Sequence, residues 1–274
     1  MTQDLTGYRV IAVHAHPDDE SISTGGALAH LARRGADVLV VTCTLGEEGE
    51  VIGPAWQGLV ADRADQLGGY RIHELQRALS ILGARGTFLG GAGCYRDSGM
   101  AGSRASRNPR AFVNGGAEAV DKLAAIFDAE RPHLVLTYGP DGGYGHPDHI
   151  HAHDVTHAAA EKSPVPRILW AVRLREELEA ALPSSAPDGW RLPDPGELDA
   201  VDTTDTWVDL DDAAWNAKVE AMRAHATQIS IAQGPHAYAL SNGITQAVTR
   251  REHYQWGAGL PVGPGADLLS GIER

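Results

Sequence analysis

Cysteine is nearly missing from this chain: Cys43 and Cys94 are the only two in 274 residues. So sparse a pair excludes a disulfide framework. Cys43 ends the apolar run that starts at Val38 and reads as a small buried side chain. Cys94 lies in a Gly-rich loop with no activating partner specific to it, which argues against a thiol nucleophile. Long apolar runs are missing too. Nowhere do about 18 such residues follow one another, so no membrane span is expected. The opening Met1-Thr2-Gln3-Asp4 lacks the basic-then-apolar pattern of a secretion signal, and the cytoplasm is the expected location. Positive charge is the third shortage: 23 Lys and Arg stand against 36 Asp and Glu, a net charge of −13 with no dense basic run. That balance argues against a nucleic-acid backbone or an anionic membrane surface as partner.

Apolar content is ample: 43% of the residues are hydrophobic, enough for one large α/β domain or a domain with an appendage. Continuous apolar stretches predict strands over 8–13, 38–42, 87–89, 133–138 and 167–172. Helical spacing predicts helices over 23–34, 70–82, 117–130, 148–161 and 211–226, with Gly35 and Gly83 as stops for the first two. The alternation specifies an α/β fold, a Rossmann-like, doubly wound, mostly parallel sheet with helices on both faces. Residues 183–206 are rich in Pro, Gly and acids and read as a loop, and the stretch 257–265 reads as irregular. The expected organisation is a core over 1–175 and a smaller C-terminal extension over 176–274 that packs on it and roofs the pocket.

Two short segments stand where apolar runs stop: His16-Pro17-Asp18-Asp19 and His146-Pro147-Asp148-His149. In an open parallel sheet, ligands bind at the carboxyl ends of strands. Two imidazoles and a carboxylate from two such ends make the open donor set of a catalytic zinc site. A turn fixed by Pro17 lets His16 and Asp19 bind a metal while Asp18 stays free as a base for water. The competing reading is a helix cap, in which the aspartates only satisfy orphan amides. In the second segment His149 is expected on the metal and His146 at the reacting carbonyl or leaving nitrogen, with Asp148 orienting an imidazole. The loop Asp141–Gly145 carries Tyr144 toward the site. A rival arrangement borne on one helix uses His149, His153 and His157, which recur every four residues. The run Glu47-Glu48-Gly49-Glu50 reads as a solvated acidic turn, and Arg71 and Asp97, beside Gly-rich turns, as surface charges by position alone.

The paired motifs Ala15-His16-Pro17-Asp18-Asp19-Glu20 and Gly145-His146-Pro147-Asp148-His149 resemble the LmbE-like (PIG-L) family of zinc-dependent N-acetylglucosaminyl deacetylases. The stretches 42–53, 65–71 and 96–100 are similar to the branch of that family that works in mycothiol biosynthesis. The likeness extends over most of 8–160 and recurs at 224–228 and 240–242. It implies a hydrolase that removes acetate from 1D-myo-inositol 2-acetamido-2-deoxy-alpha-D-glucopyranoside, a small amino-sugar–inositol. It implies one Zn2+ per subunit on His16, Asp19 and His149, Asp18 as general base, and His146 and Tyr144 assisting at the carbonyl or the leaving amine. It implies a sugar–inositol pocket lined by Arg71, Asp97 and Met100, with Glu50, His225, Gln228 and Asn242 beside them. An amidase acting on mycothiol S-conjugates would use the same metal with a larger pocket; the Glu47–Gly53 run favours the deacetylase. A non-catalytic sugar-binding protein needs no base, and a structural metal domain needs a closed site. Oligomeric state is left open, a homo-oligomer included.

Overall fold

The structure is a computed structural model that describes residues 4–274 apart from Pro235. Its centre is a seven-stranded sheet. Strands β1 (Arg9–His14), β2 (Asp37–Thr42), β3 (Arg85–Phe88), β4 (Leu134–Thr137) and β5 (Arg167–Val172) run parallel. β6 (Thr206–Asp209) comes next in the chain, and β7 (Ser230–Ile231), β8 (Ala237–Ala239) and β9 (Gln246–Ala247) form a small antiparallel sheet of their own. β10 (Arg251–Gly259) then inserts between β5 and β6, antiparallel to both, giving the order β3-β2-β1-β4-β5-β10-β6.

Successive strand residues point to opposite faces, and both faces are covered. Val10, Ala12, Val38, Val40, Leu134 and Leu136 pack with residues of the helices Gly25–Arg33, Leu67–Leu82 and Asp212–Ala224. Ile11, Val13, Leu39, Val41 and Val135 pack with the helices Gly116–Glu130 and Pro147–Lys162. The expected parallel strands and main helices are therefore present, with ends shifted by a few residues. The helix Arg175–Ala181 and the strands β6 and β10 lie outside the expected elements. Residues 183–205 belong to no helix or strand of the main sheet and make isolated bridges, Arg191 to Ile244 and Val201 to Leu174, before β6 begins at Thr206.

The chain leaves β1 toward β2 on one side, while β4 pairs with β1 on the other. Strand order reverses there, and the carboxyl ends of β1 and β4 open into one crevice. Among the described residues, no helix is long and apolar enough to cross a membrane.

Candidate metal centre and active site

His16 follows β1, and His149 lies in the first turn of the helix after β4. Their facing nitrogens, His16 Nδ1 and His149 Nε2, are 3.3 Å apart. Asp19 Oδ2 lies 3.4 Å from each. For ligand bonds of about 2.0–2.1 Å, a tetrahedral site has ligand–ligand edges of about 3.3–3.4 Å. The residues therefore fit a metal ion.

Hydrogen bonds fix both tautomers in the required sense. His149 Nδ1 faces the Gly142 carbonyl at 3.1 Å, so that nitrogen carries the proton and Nε2 offers its lone pair. His16 Nε2 faces Asp148 Oδ2 at 3.2 Å, which leaves Nδ1 free in the same way. Tyr138, directly after β4, donates to Asp19 Oδ2 at 2.7 Å and stacks on the His149 ring at 4.2 Å. Asp19 makes no side-chain cap to the helical turn Glu20–Thr24 that follows it, so capping does not explain this residue.

Four acids, Asp18, Asp19, Asp97 and Asp148, surround these imidazoles in a buried setting. Burial disfavours a charged His16, but Asp97, Asp148 and Asp19 outweigh it and hold its pKa well above the ordinary value. Burial likewise opposes a charged Asp19, while His149 and His16 pull its pKa well below the usual range. An excess of buried carboxylates over cations is an environment a divalent ion relieves. His16, His146 and His149 also offer three nitrogens within 4.8 Å of one another, a looser set than the one with Asp19. The helix-borne alternative is not assembled. His153 Nδ1 bonds the Tyr138 carbonyl at 2.9 Å, and His157 Nε2 accepts from Trp170 Nε1 at 2.9 Å.

Asp18 stands beside the triad on a strained backbone, with φ +115. Burial raises its carboxyl pKa to about 6 against the opposing pull of Arg71, with Asp19 adding to the rise. Arg71 Nη2 lies 3.0 Å from Asp18 Oδ2 and donates also to the Pro17 carbonyl, while Nη1 donates to the Gly46 carbonyl at 2.7 Å. Arg71 is thus not a surface charge. It reaches the cavity wall, but both Nη atoms are committed to holding Asp18 and its turn. Gly46 makes room for it: at φ +64, a Cβ there would sit 2.1 Å from Arg71 Nη1.

Asp148 is fully buried and accepts from the Ser98 amide at 2.9 Å as well as facing His16. His146 caps the helix Pro147–Lys162, its Nδ1 accepting the Asp148 amide at 3.1 Å, so its Nε2 carries the proton. Burial, then His16 and His149, push its pKa down to about 4. At that value the imidazole is neutral at pH 7, which favours the reacting carbonyl over the leaving nitrogen of the two placements the sequence gives His146. Tyr144 is 54% exposed, with its ring edge-on to His149 at 5.0 Å.

A cavity of about 750 Å³ opens from the triad and is lined by Tyr144, Asp97, Met100, Glu50, Gln228 and Asn242 among others. Leu178, Glu197, Leu198 and Asp199 also line it. His225, expected in the pocket, is elsewhere: it has no exposed surface, and its Nε2 is 2.7 Å from Glu20 Oε1. The acidic turn is not simply solvated either. Glu47 is buried and accepts the Asp97 amide at 3.0 Å, and Glu48 Oε1 accepts from Arg96 Nη2 at 3.1 Å. Tyr138 and Glu20 were not foreseen. Tyr138 carried the one available signal, a hydroxyl placed directly after an apolar strand.

A doubly wound sheet with an open two-histidine, one-carboxylate cluster and a free acid at its switch point is the layout of a metal-dependent hydrolase. Comparison with known proteins agrees. The family model described as "PIG-L: GlcNAc-PI de-N-acetylase" matches residues 11–160, and the chain belongs to that family. A 1D-myo-inositol 2-acetamido-2-deoxy-alpha-D-glucopyranoside deacetylase of Corynebacterium efficiens is 59% identical, over 93% of this chain and 90% of its own. One of Rhodococcus erythropolis is 50% identical, over 97% and 98%. Among solved structures, the A40926 pseudoaglycone deacetylase Dbv21 superimposes with a TM-score of 0.57 at 24% identity, over 90% of this chain and 96% of that one, and shares the fold.

Proposed function

We propose that this chain hydrolyses the acetamide of 1D-myo-inositol 2-acetamido-2-deoxy-alpha-D-glucopyranoside, releasing acetate and the free glucosaminyl-inositol. The observation that carries the chemistry is the His16–Asp19–His149 triangle with edges of 3.3–3.4 Å beside the buried, unligated Asp18. Relatives at 50–59% identity over nearly the whole chain carry the choice of substrate.

His16 Nδ1, Asp19 Oδ2 and His149 Nε2 would hold zinc, which supplies Lewis acidity toward the amide carbonyl and toward water. Asp18 takes the proton from the attacking water. With its pKa raised to about 6, it is ionised at neutral pH yet more basic than an ordinary aspartate. Arg71 keeps that carboxylate aimed and charged. The neutral His146 donates through Nε2–H to the oxygen that becomes negative, and Tyr144 brings a second donor on its glycine-rich loop. Donors of this kind are worth about 3 kcal/mol each in the transition state. The proton held on Asp18 then passes to the departing nitrogen, because His146 has none to spare. Asp97, Met100, Glu50, Gln228 and Asn242 line the cavity where the sugar and inositol hydroxyls bind.

The test is amine release from this substrate set beside N-acetylglucosamine and a mycothiol S-conjugate. The expected result is the highest kcat/KM for the inositol-linked sugar. Faster turnover of the conjugate would reassign the chain to the amidase activity, and no amine from any of the three on the zinc-loaded protein would overturn the hydrolase reading.

A further inference from the structure

Glu20 and His225 take no part in the chemistry above, yet both are fully buried, and they meet from positions 205 residues apart. Glu20 Oε1 receives His225 Nε2 at 2.7 Å and the Ser21 hydroxyl at 2.5 Å. Its other oxygen, Oε2, accepts the peptide N–H of Asp18 at 2.9 Å. That peptide is an unusual one. Asp18 has φ +115, outside the small left-handed well, and such a conformation persists only where its surroundings over-determine it. The Asp18 carbonyl is held as well, by the amides of Ser21 and Ile22, both at 3.0 Å.

We infer that Glu20 and His225 are positioning residues: together they lock the strained Asp18 peptide so that its carboxylate meets the reacting water. The inference rests on the reading of Asp18 as base. His225 suits the task because its own backbone is pinned after the helix Asp212–Ala224. Its amide donates to the Met222 carbonyl, and its carbonyl accepts the amides of Gln228 and Ile229. The imidazole is therefore a fixed donor, and through Glu20 it passes that fixity to Asp18. A fully buried carboxylate–imidazole pair is an expensive way to fill space, since apolar side chains of similar volume usually serve stability as well or better. What an apolar pair cannot supply is an acceptor for the Asp18 amide. Through this pair the C-terminal third of the chain supports the base as well as lining the cavity.

The experiment compares His225→Leu, His225→Gln, Glu20→Gln and Asp18→Asn as zinc-loaded proteins, measuring kcat, KM and bound zinc. His225→Leu removes the donor at similar volume. It is expected to lose about 100-fold in kcat, as small misplacements of a reacting group do, with KM within about twofold and one zinc per chain retained. His225→Gln offers an amide N–H to Glu20 and is expected to recover about tenfold of that loss. Full kcat in His225→Leu, zinc loss in step with activity, or a glutamine variant no better than leucine would each overturn the inference. Should the leucine variant not fold, Glu20→Gln decides. Its amide group cannot be an acceptor to both His225 and Asp18 on opposite atoms, so kcat is expected to fall with zinc retained, and full kcat there overturns the inference. Asp18→Asn separates the two levels: if it turns over normally, the base assignment itself fails, whereas an inactive Asp18→Asn beside a fully active His225→Leu defeats only the positioning role.

Discussion

Arg71 Nη2 lies 3.0 Å from Asp18 Oδ2, and both side chains are buried. The same guanidinium donates to the Pro17 and Gly46 carbonyls, so one planar cation ties the acid to the two loops that follow β1 and β2. Arg71→Met leaves two carbonyls and a carboxylate without their donor. Breaking a buried pair from one side costs about 3–5 kcal/mol. A lower urea midpoint is expected, with kcat down about 100-fold. Arg71→Lys should recover only part of this, because a single ammonium cannot span three acceptors set for a planar fork. Steady-state kinetics on zinc-loaded protein provide the check, and a methionine variant with normal kcat would remove Arg71 from the active site's support.

Gly46→Ala tests the same clamp from the other side. The new Cβ would lie 2.1 Å from Arg71 Nη1, at a backbone φ of +64. Left-handed geometry costs a non-glycine residue about 1–2 kcal/mol before any clash is counted. Arg71 must also leave its place, so the kinetic defect should approach that of Arg71→Met. Gly49→Ala meets Gln228 Oε1 at 2.7 Å and comes no nearer than 2.9 Å to Arg71 Nη1, with no positive φ. Its loss of stability should be clearly smaller in parallel urea titrations; equal losses would mean that the φ and the guanidinium do not set the cost.

The metal-fit triangle was legible in the sequence because both motifs directly follow apolar strands, and strand ends in this fold class face one crevice. β1, β2, β4 and β5 were legible for a related reason: strands buried on both faces read as unbroken apolar runs, whereas the edge strand β3, Arg85–Phe88, is mostly exposed and showed only its apolar end. β10 was not, because Arg251–Gly259 interleaves charged, aromatic and glycine residues and draws its place from pairing with β5 and β6. The support of the site was hidden too. Arg71 lies in an amphipathic helix where an arginine reads as solvated, and its burial depends on Gly46 and Pro17, which are remote in sequence. His225 could be read as belonging to the site's neighbourhood, but not that it turns to Glu20 instead of the cavity. Such pairings belong to tertiary packing, which local pattern does not encode.

Asp148→Ala is expected to weaken the metal centre without touching a metal-facing atom. Its carboxylate fixes the His16 tautomer from 3.2 Å and accepts the Ser98 amide at 2.9 Å. Losing an orienting carboxylate of this sort typically costs about 10–100-fold in metal affinity. Zinc competition against a chromogenic chelator measures this directly, and His149→Ala, which removes one corner of the triangle, should weaken binding further. An Asp148→Ala protein with unchanged zinc affinity would show that the tautomer is held by something else, with Asp97 Oδ1, 3.5 Å from the same nitrogen, as the candidate.

His133 gives a pH dependence remote from the metal. It is buried, its Nδ1 accepts the Arg9 amide at 3.0 Å, and its ring meets Tyr8 edge-on at 5.3 Å. Burial first, and then the Arg9 charge, lower its pKa below the ordinary 6.5. The folded state therefore binds fewer protons than the unfolded state just below pH 6.5, and stability falls as the pH drops. The contribution is complete above pH 6.5 and is lost progressively from there down to the folded-state pKa. Its slope cannot exceed about 1.4 kcal/mol per pH unit for one group. Burial lowers His14, His30 and His157 in the same direction, so the informative quantity is a difference between proteins. His133→Asn keeps a polar partner for the Arg9 amide but has no proton to gain. Between pH 7.5 and 5.5 its urea midpoint should fall less than that of the unmodified chain, and identical falls in the two proteins would mean that His133 is not the group being charged on unfolding.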